Sequence, residues 1–121
     1  MNYFNKEQIK EASFPDTPIL NFNIDNKLKI LEFKSDVYVG TSPKGKWFDD
    51  CIVKLNKYRN LIITEEDSKV IEIYEDKYSL REICEFVFIR SYIIFRGFSS
   101  GPGLWTEFKF EEGELQIKFN Q

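Results

Sequence analysis

From Leu104 to Phe119 the side chains keep a period of two: Leu104, Thr106, Phe108 and Phe110 alternate with Trp105, Glu107 and Lys109, and Leu115, Ile117 and Phe119 alternate with Gln116 and Lys118. Period two sends successive side chains to opposite faces of a pleated strand, so each run can lay one apolar face on a core and turn the other to water. Between the runs, Glu111-Glu112-Gly113 offers a glycine where a type I turn is followed by a left-handed residue. The pattern predicts a terminal β-hairpin.

The same alternation recurs upstream. Leu20, Phe22 and Ile24 alternate with Asn21, Asn23 and Asp25, and Leu28 and Ile30 resume it after Asp25-Asn26, which reads as a tight hairpin over residues 19–34. The apolar face changes sides at Ile30-Leu31-Glu32-Phe33, which predicts a bulge there. Ser42-Pro43-Lys44-Gly45 has the order of a β-turn. Further strands are expected at Cys51-Val53-Leu55, Leu61–Ile63, Val70–Tyr74, and from Phe86 through Phe95. Composition agrees, because 17% of the chain is aromatic while Ala12 is the single alanine. Aromatic and β-branched residues suit a half-buried sheet, and the best helix former is nearly missing.

Two places read as helix. Asn5 stands as an N-cap with Gln8 three residues on, predicting a short helix over about 5–13 that Pro15 and Pro18 stop. Ser79-Leu80-Arg81-Glu82 fits a second capping box, predicting a turn of helix over about 79–84. The expected fold is one α+β domain over residues 1–121, predominantly antiparallel β, as a meander, sandwich or partly open barrel with one or two short helices.

The chain contains no histidine, which removes Ser-His and Cys-His nucleophile pairs and every His-containing zinc or iron site. Cys51 and Cys84 lie in separate apolar runs without a C-x-x-C pair and read as reduced core thiols. Acidic clusters at Asp49-Asp50, Glu65-Glu66-Asp67, Glu75-Asp76 and Glu111-Glu112-Glu114 would need a facing pair with separated pKa values to do catalysis. Solvated loop charge is the simpler reading of each. Ser99-Ser100-Gly101-Pro102-Gly103 lacks the Gly-Lys-Ser/Thr ending of a phosphate loop and reads as a connection between strands. Neither catalytic nor metal-binding residues are assigned, and nothing asks for a cofactor.

A net charge of −3 and a pI near 5.1 argue against direct nucleic-acid binding and favour a positively charged partner. The opening residues carry no signal-peptide core, and no apolar run approaches the roughly 20 residues of a membrane span, so a cytoplasmic, membrane-free protein is expected. Trp47 and Trp105 sit between turns and strands. Exposed, they would anchor an interface; buried, they would close the ends of the core.

With its acidic turns, its Trp105–Phe119 run WTEFKFEEGELQIKF, and its bias toward Lys, Asn, Ile, Phe and Tyr, the chain resembles the small immunity proteins that bacteria encode beside contact-dependent or polymorphic toxins. That resemblance implies a non-enzymatic inhibitor of a cognate toxin domain. A nuclease toxin must show a basic cleft to its substrate, and carboxylates can fill it. The candidate contact residues are Trp47, Asp49, Asp50, Glu65, Glu66, Asp67, Glu75, Asp76 and Trp105. The competing expectation is a β-barrel-like domain holding an apolar small molecule in a pocket lined by Phe22, Phe88, Phe95 and Phe108.

Overall fold

A computed structural model describes residues 2–40, 44–66, 69–71, 78–101 and 103–120. In chain order the elements are β1 (Asn2–Tyr3), α1 (Lys6–Lys10), β2 (Ala12–Ser13), β3 (Thr17–Pro18), β4 (Leu20–Asp25), β5 (Ile30–Val39), β6 (Lys46–Asn56), β7 (Asn60–Glu65), β8 (Lys69–Ile71), β9 (Leu80–Ile89), β10 (Tyr92–Ser99), β11 (Trp105–Glu111) and β12 (Glu114–Phe119). They build two antiparallel sheets that do not close into a barrel. The first has the order β1-β12-β6-β5-β2, with β4 also pairing β5, and the second has the order β3-β9-β10-β11-β7-β8.

The sheets face each other through the apolar half of each alternation. Leu31, Phe33 and Val37 of β5 and Cys51, Val53 and Leu55 of β6 turn inward from one side; Ile83 of β9, Phe95 of β10, and Phe108 and Phe110 of β11 meet them from the other. Ring contacts cross the interface, with Phe33 against Phe95 at 5.5 Å and Phe22 against Phe108 at 5.3 Å between centroids. Phe14, on the link between β2 and β3, touches Phe33, Phe86 and Phe95. Each fully buried phenyl contributes about 2 kcal/mol of transfer free energy, and a well-set ring pair about 1 kcal/mol more.

The amino-terminal helix forms where its cap predicts. Asn5 Oδ1 accepts from the Gln8 N–H and Gln8 Oε1 accepts from the Asn5 N–H, both at 2.9 Å. It ends sooner than the sequence suggests, because Ala12 and Ser13 are drawn into pairing with Val39 and Tyr38. The predicted helix at 79–84 is replaced by strand: Leu80–Ile83 ladders onto Gly97–Ser99 of β10. A lone turn of helix carries the cost of nucleation with little propagation, and the long β9–β10 ladder outweighs its cap.

The hairpin at 19–34 is present, with Leu20 opposite Lys34 and Asp25 opposite Ile30. The left-handed residue of its turn is Lys29, while Asp25 Oδ1 accepts from the N–H groups of Lys27 and Leu28 at 3.1 Å each. The bulge lies across the ladder from the predicted place. β5 alternates regularly from Leu31 to Val37, and the extra residue is in β4, where Asn21 has a φ of 57°. The turn at Ser42-Pro43 lies outside the described residues, as do Ile73 and Tyr74 of the expected strand at 70–74.

The terminal hairpin does not form, although both of its strands do. β11 pairs β10 and β7 in the second sheet, and β12 pairs β6 and β1 in the first. Glu112 and Gly113, with φ of 61° and 115°, make a corner between the sheets. A Cβ on Gly113 would come within 2.8 Å of Leu55 Cδ1, so only glycine turns there without displacing the core. The β6–β7 connection turns beside it, held by the Arg59 Nε–H bond to Glu111 Oε1 at 2.8 Å and the buried Tyr58 hydroxyl donating to Asn26 Oδ1 at 2.7 Å.

Candidate functional site

The outer face of the first sheet can be followed rung by rung. Ser13, Tyr38 and Trp47 form the first rung, and Asp36 faces the bulged Asp49-Asp50 pair in the next. Below them run Leu20, Lys34, Ile52, Lys118 and Tyr3, then Asn23, Glu32, Lys54 and Gln116. The face is therefore banded: two aromatic rings, three carboxylates, then two mixed rungs in which Lys34, Lys118 and Lys54 outnumber the single carboxylate Glu32.

The acidic band owes its shape to the bulge in β6. Between Cys51 and Phe48, β6 spends one residue more than β5 does between Ser35 and Val37, and Asp50 takes up the excess with a φ of 53°. Its N–H donates to Asp36 Oδ1 at 2.9 Å. Asp49 and Asp50 are thereby both exposed beside Asp36, whereas strict alternation would turn one of two neighbours inward. Their field reaches the buried Cys51, whose thiol is pushed up to about 12, first by burial and then by the carboxylates of Asp36, Asp49 and Asp50. Cys51 is a core thiol, as expected, and its Sγ–H points to the Phe48 carbonyl.

Trp47 is 47% exposed, so its indole does not close the core. It stands edge-on to Tyr38 at 5.3 Å between centroids, and the Tyr38 hydroxyl accepts from the Gly45 N–H at 2.9 Å. The two rings wall a shallow depression of about 370 Å³ with Ser13, Pro15 and Gly40. A second depression, of about 170 Å³, is lined by Pro18, Leu20, Lys34, Ser35, Asp36 and Asp50. A third, of about 210 Å³, lies over Ile52 between Tyr3, Lys54 and Lys118.

Of the nine residues singled out in the sequence, Trp47, Asp49 and Asp50 come together here. Glu65 does not join them: it ends β7, 8% exposed, opposite Thr106 on an inward rung. Glu66 is exposed, and its N–H donates to the Trp105 carbonyl at 2.8 Å. Trp105 lies half-buried on the outer face of the second sheet against Phe98, away from Trp47. Asp67, Glu75 and Asp76 lie outside the described residues. Sequence reasoning passed over Asp36 and Tyr38, although their alternation with the apolar Val37 marks both as outward positions.

One further cluster brings metal-ligating atoms together. Asp16, Glu82 and Cys84 place a carboxylate, a carboxylate and a thiol within 4.8 Å of one another. The Cys84 thiol is pushed up to about 12, by burial first and by its hydrogen bond with Asp16 next, so at neutral pH it is a protonated donor between two acceptors. Among the described residues no helix is long and apolar enough to cross a membrane. The chain matches no protein-family model, no curated protein and no solved structure, so its own surface is the guide to its function.

Proposed function

We propose that this chain is a cytoplasmic, toxin-neutralising immunity protein that blocks a basic bacterial toxin domain, of nuclease type, through the outer face of the first sheet. One observation carries the reading: an exposed Trp47 set edge-on against a half-buried Tyr38, directly beside three clustered carboxylates, Asp36, Asp49 and Asp50. Interfaces draw most of their energy from aromatic anchors in desolvated pockets, while charge sets encounter rate and specificity. Carboxylates spaced along a strand rung can occupy phosphate positions in a nuclease cleft.

The banding makes the reading more specific than net acidity does. Lys34 stands one rung below the carboxylates, so a partner must offer cations to Asp36, Asp49 and Asp50 and an anion or carbonyl to Lys34. The ligand-binding alternative draws less support. Phe22, Phe95 and Phe108 interlock with neighbouring rings, and the depressions over the first sheet are lined by other residues.

The test is co-expression with the basic toxin domain that this reading requires to be encoded beside the chain. Stable co-purification and restored growth are expected. Trp47→Ala should lower affinity by about 2 kcal/mol, roughly thirtyfold, as truncation of an anchor does. A toxin domain that neither binds nor is neutralised removes the proposal.

A further inference from the structure

Strand β9 runs ten residues, and on the edge away from β10 its first half is covered: β3 pairs Glu82 and Ile83, the Ile19 N–H bonds the Arg81 carbonyl, and Asp16 bonds Cys84. Among the described residues, Glu85-Phe86-Val87-Phe88-Ile89 has no ladder on that edge. This half-edge differs from the other ends of the sheets. β1, β2 and β3 are two residues long, β8 is three, and β4 is broken by its bulge at Asn21. Short, bulged or proline-bearing edges discourage pairing with another chain; a five-residue edge with four apolar residues, and without lysine or proline, invites it. Phe88 and Ile89, at 42% and 50% exposure, are also among the most exposed large apolar side chains of the second sheet.

We propose that the chain forms a two-fold dimer by antiparallel pairing of these edges, joining the second sheets of two copies into one continuous sheet. The sequence of the edge is self-complementary in one register. With Val87 opposite Val87 of the second copy, Phe86 meets Phe88 on the inner face, twice, and Glu85 meets Ile89 on the outer face. No like charges stand opposite each other. The ends match as well. Arg90, exposed in the turn after β9, has no carboxylate within ion-pair distance among the described residues. In this register it falls beside Cys84 of the second copy, where the carboxylates of Asp16 and Glu82 converge. Symmetry makes that contact twice. A foreign strand would gain the backbone bonds but not this reciprocal match, so the second copy is the occupant. The Trp47 face belongs to the other sheet and stays open in the dimer.

Analytical ultracentrifugation of the full chain over micromolar concentrations tests the pairing. The expected species has twice the 14.4 kDa chain mass. Val87→Lys sets two ammonium groups opposite each other and should yield monomer with an unchanged far-ultraviolet circular dichroism spectrum. Mixing it with Val87→Glu should restore a dimer, because residue 87 faces itself only in this register. Arg90→Glu, in an exposed turn where folding is little affected, should weaken the dimer about tenfold. A wild-type chain that stays monomeric, a dimer that neither Val87→Lys nor Arg90→Glu weakens, or a Lys/Glu mixture that stays monomeric overturns the proposal.

Discussion

The N–H of Asp50 in β6 donates to Asp36 Oδ1 in β5 at 2.9 Å, locking the bulge that holds Asp50 at a φ of 53°. The bond couples the shape of the sheet to the placement of its exposed charge. Asp36→Ala should cost about 1 kcal/mol of unfolding free energy, the ordinary worth of such a bond at a partly exposed site. Asp36→Asn keeps an acceptor oxygen and should cost less than half as much while still removing one charge from the band. Urea titration of both variants separates the structural role from the electrostatic one.

The acidic band should act on association more than on residence. Asp49→Lys, at an exposed position, should slow binding of the proposed basic partner about tenfold at low ionic strength and flatten the salt dependence of the on-rate, with a smaller change in off-rate. Stopped-flow mixing across a salt series reads this directly. An off-rate effect larger than the on-rate effect would point to a packing role for Asp49.

Three acidic groups give the protein an alkaline limit. The Cys51 and Cys84 thiols rise from 9.0 to about 12 and the Tyr58 phenol from 10.0 to about 12, burial being the first cause in each case. In the unfolded chain these groups lose their protons near their ordinary values, while the folded chain keeps them. Between about pH 9 and 12 the folded state therefore binds more protons, and stability is full below pH 9 and falls as pH rises through that window. Thermal melts from pH 7 to 11 should show a monotonic fall in Tm above pH 9. At pH 8, native protein should react slowly with a thiol reagent and quickly once urea is added.

Gly97 marks the tightest approach in the second sheet. A Cβ built there would lie 1.9 Å from the Glu82 carbonyl oxygen, on backbone held by the two register shifts that flank the residue. Gly97→Ala must push β9 away from β10 and should cost about 3 kcal/mol, near the upper end for overpacking. A Tm within a few degrees of wild type would show that this ladder yields more easily than its register implies.

Much of this molecule is readable from alternation alone. Which residues face the core along β11, β12 and the Cys51–Leu55 part of β6, the capped helix after Asn5, and the absence of any histidine chemistry all follow from residue identity and spacing, because these are local properties of a pleated or helical backbone. Which strands pair is not local. Residues 104–119 read as a hairpin, but β7 and β6 offer β11 and β12 better partners in opposite sheets, and a corner at Glu112-Gly113 satisfies both. The candidate site depends on the same long-range choices. Trp47, Asp49 and Asp50 are neighbours in the chain, but Tyr38 and Asp36 join them only because β5 pairs β6 in a register containing one bulge. Glu65 left the site because its rung turns inward, an outcome decided by packing between the sheets.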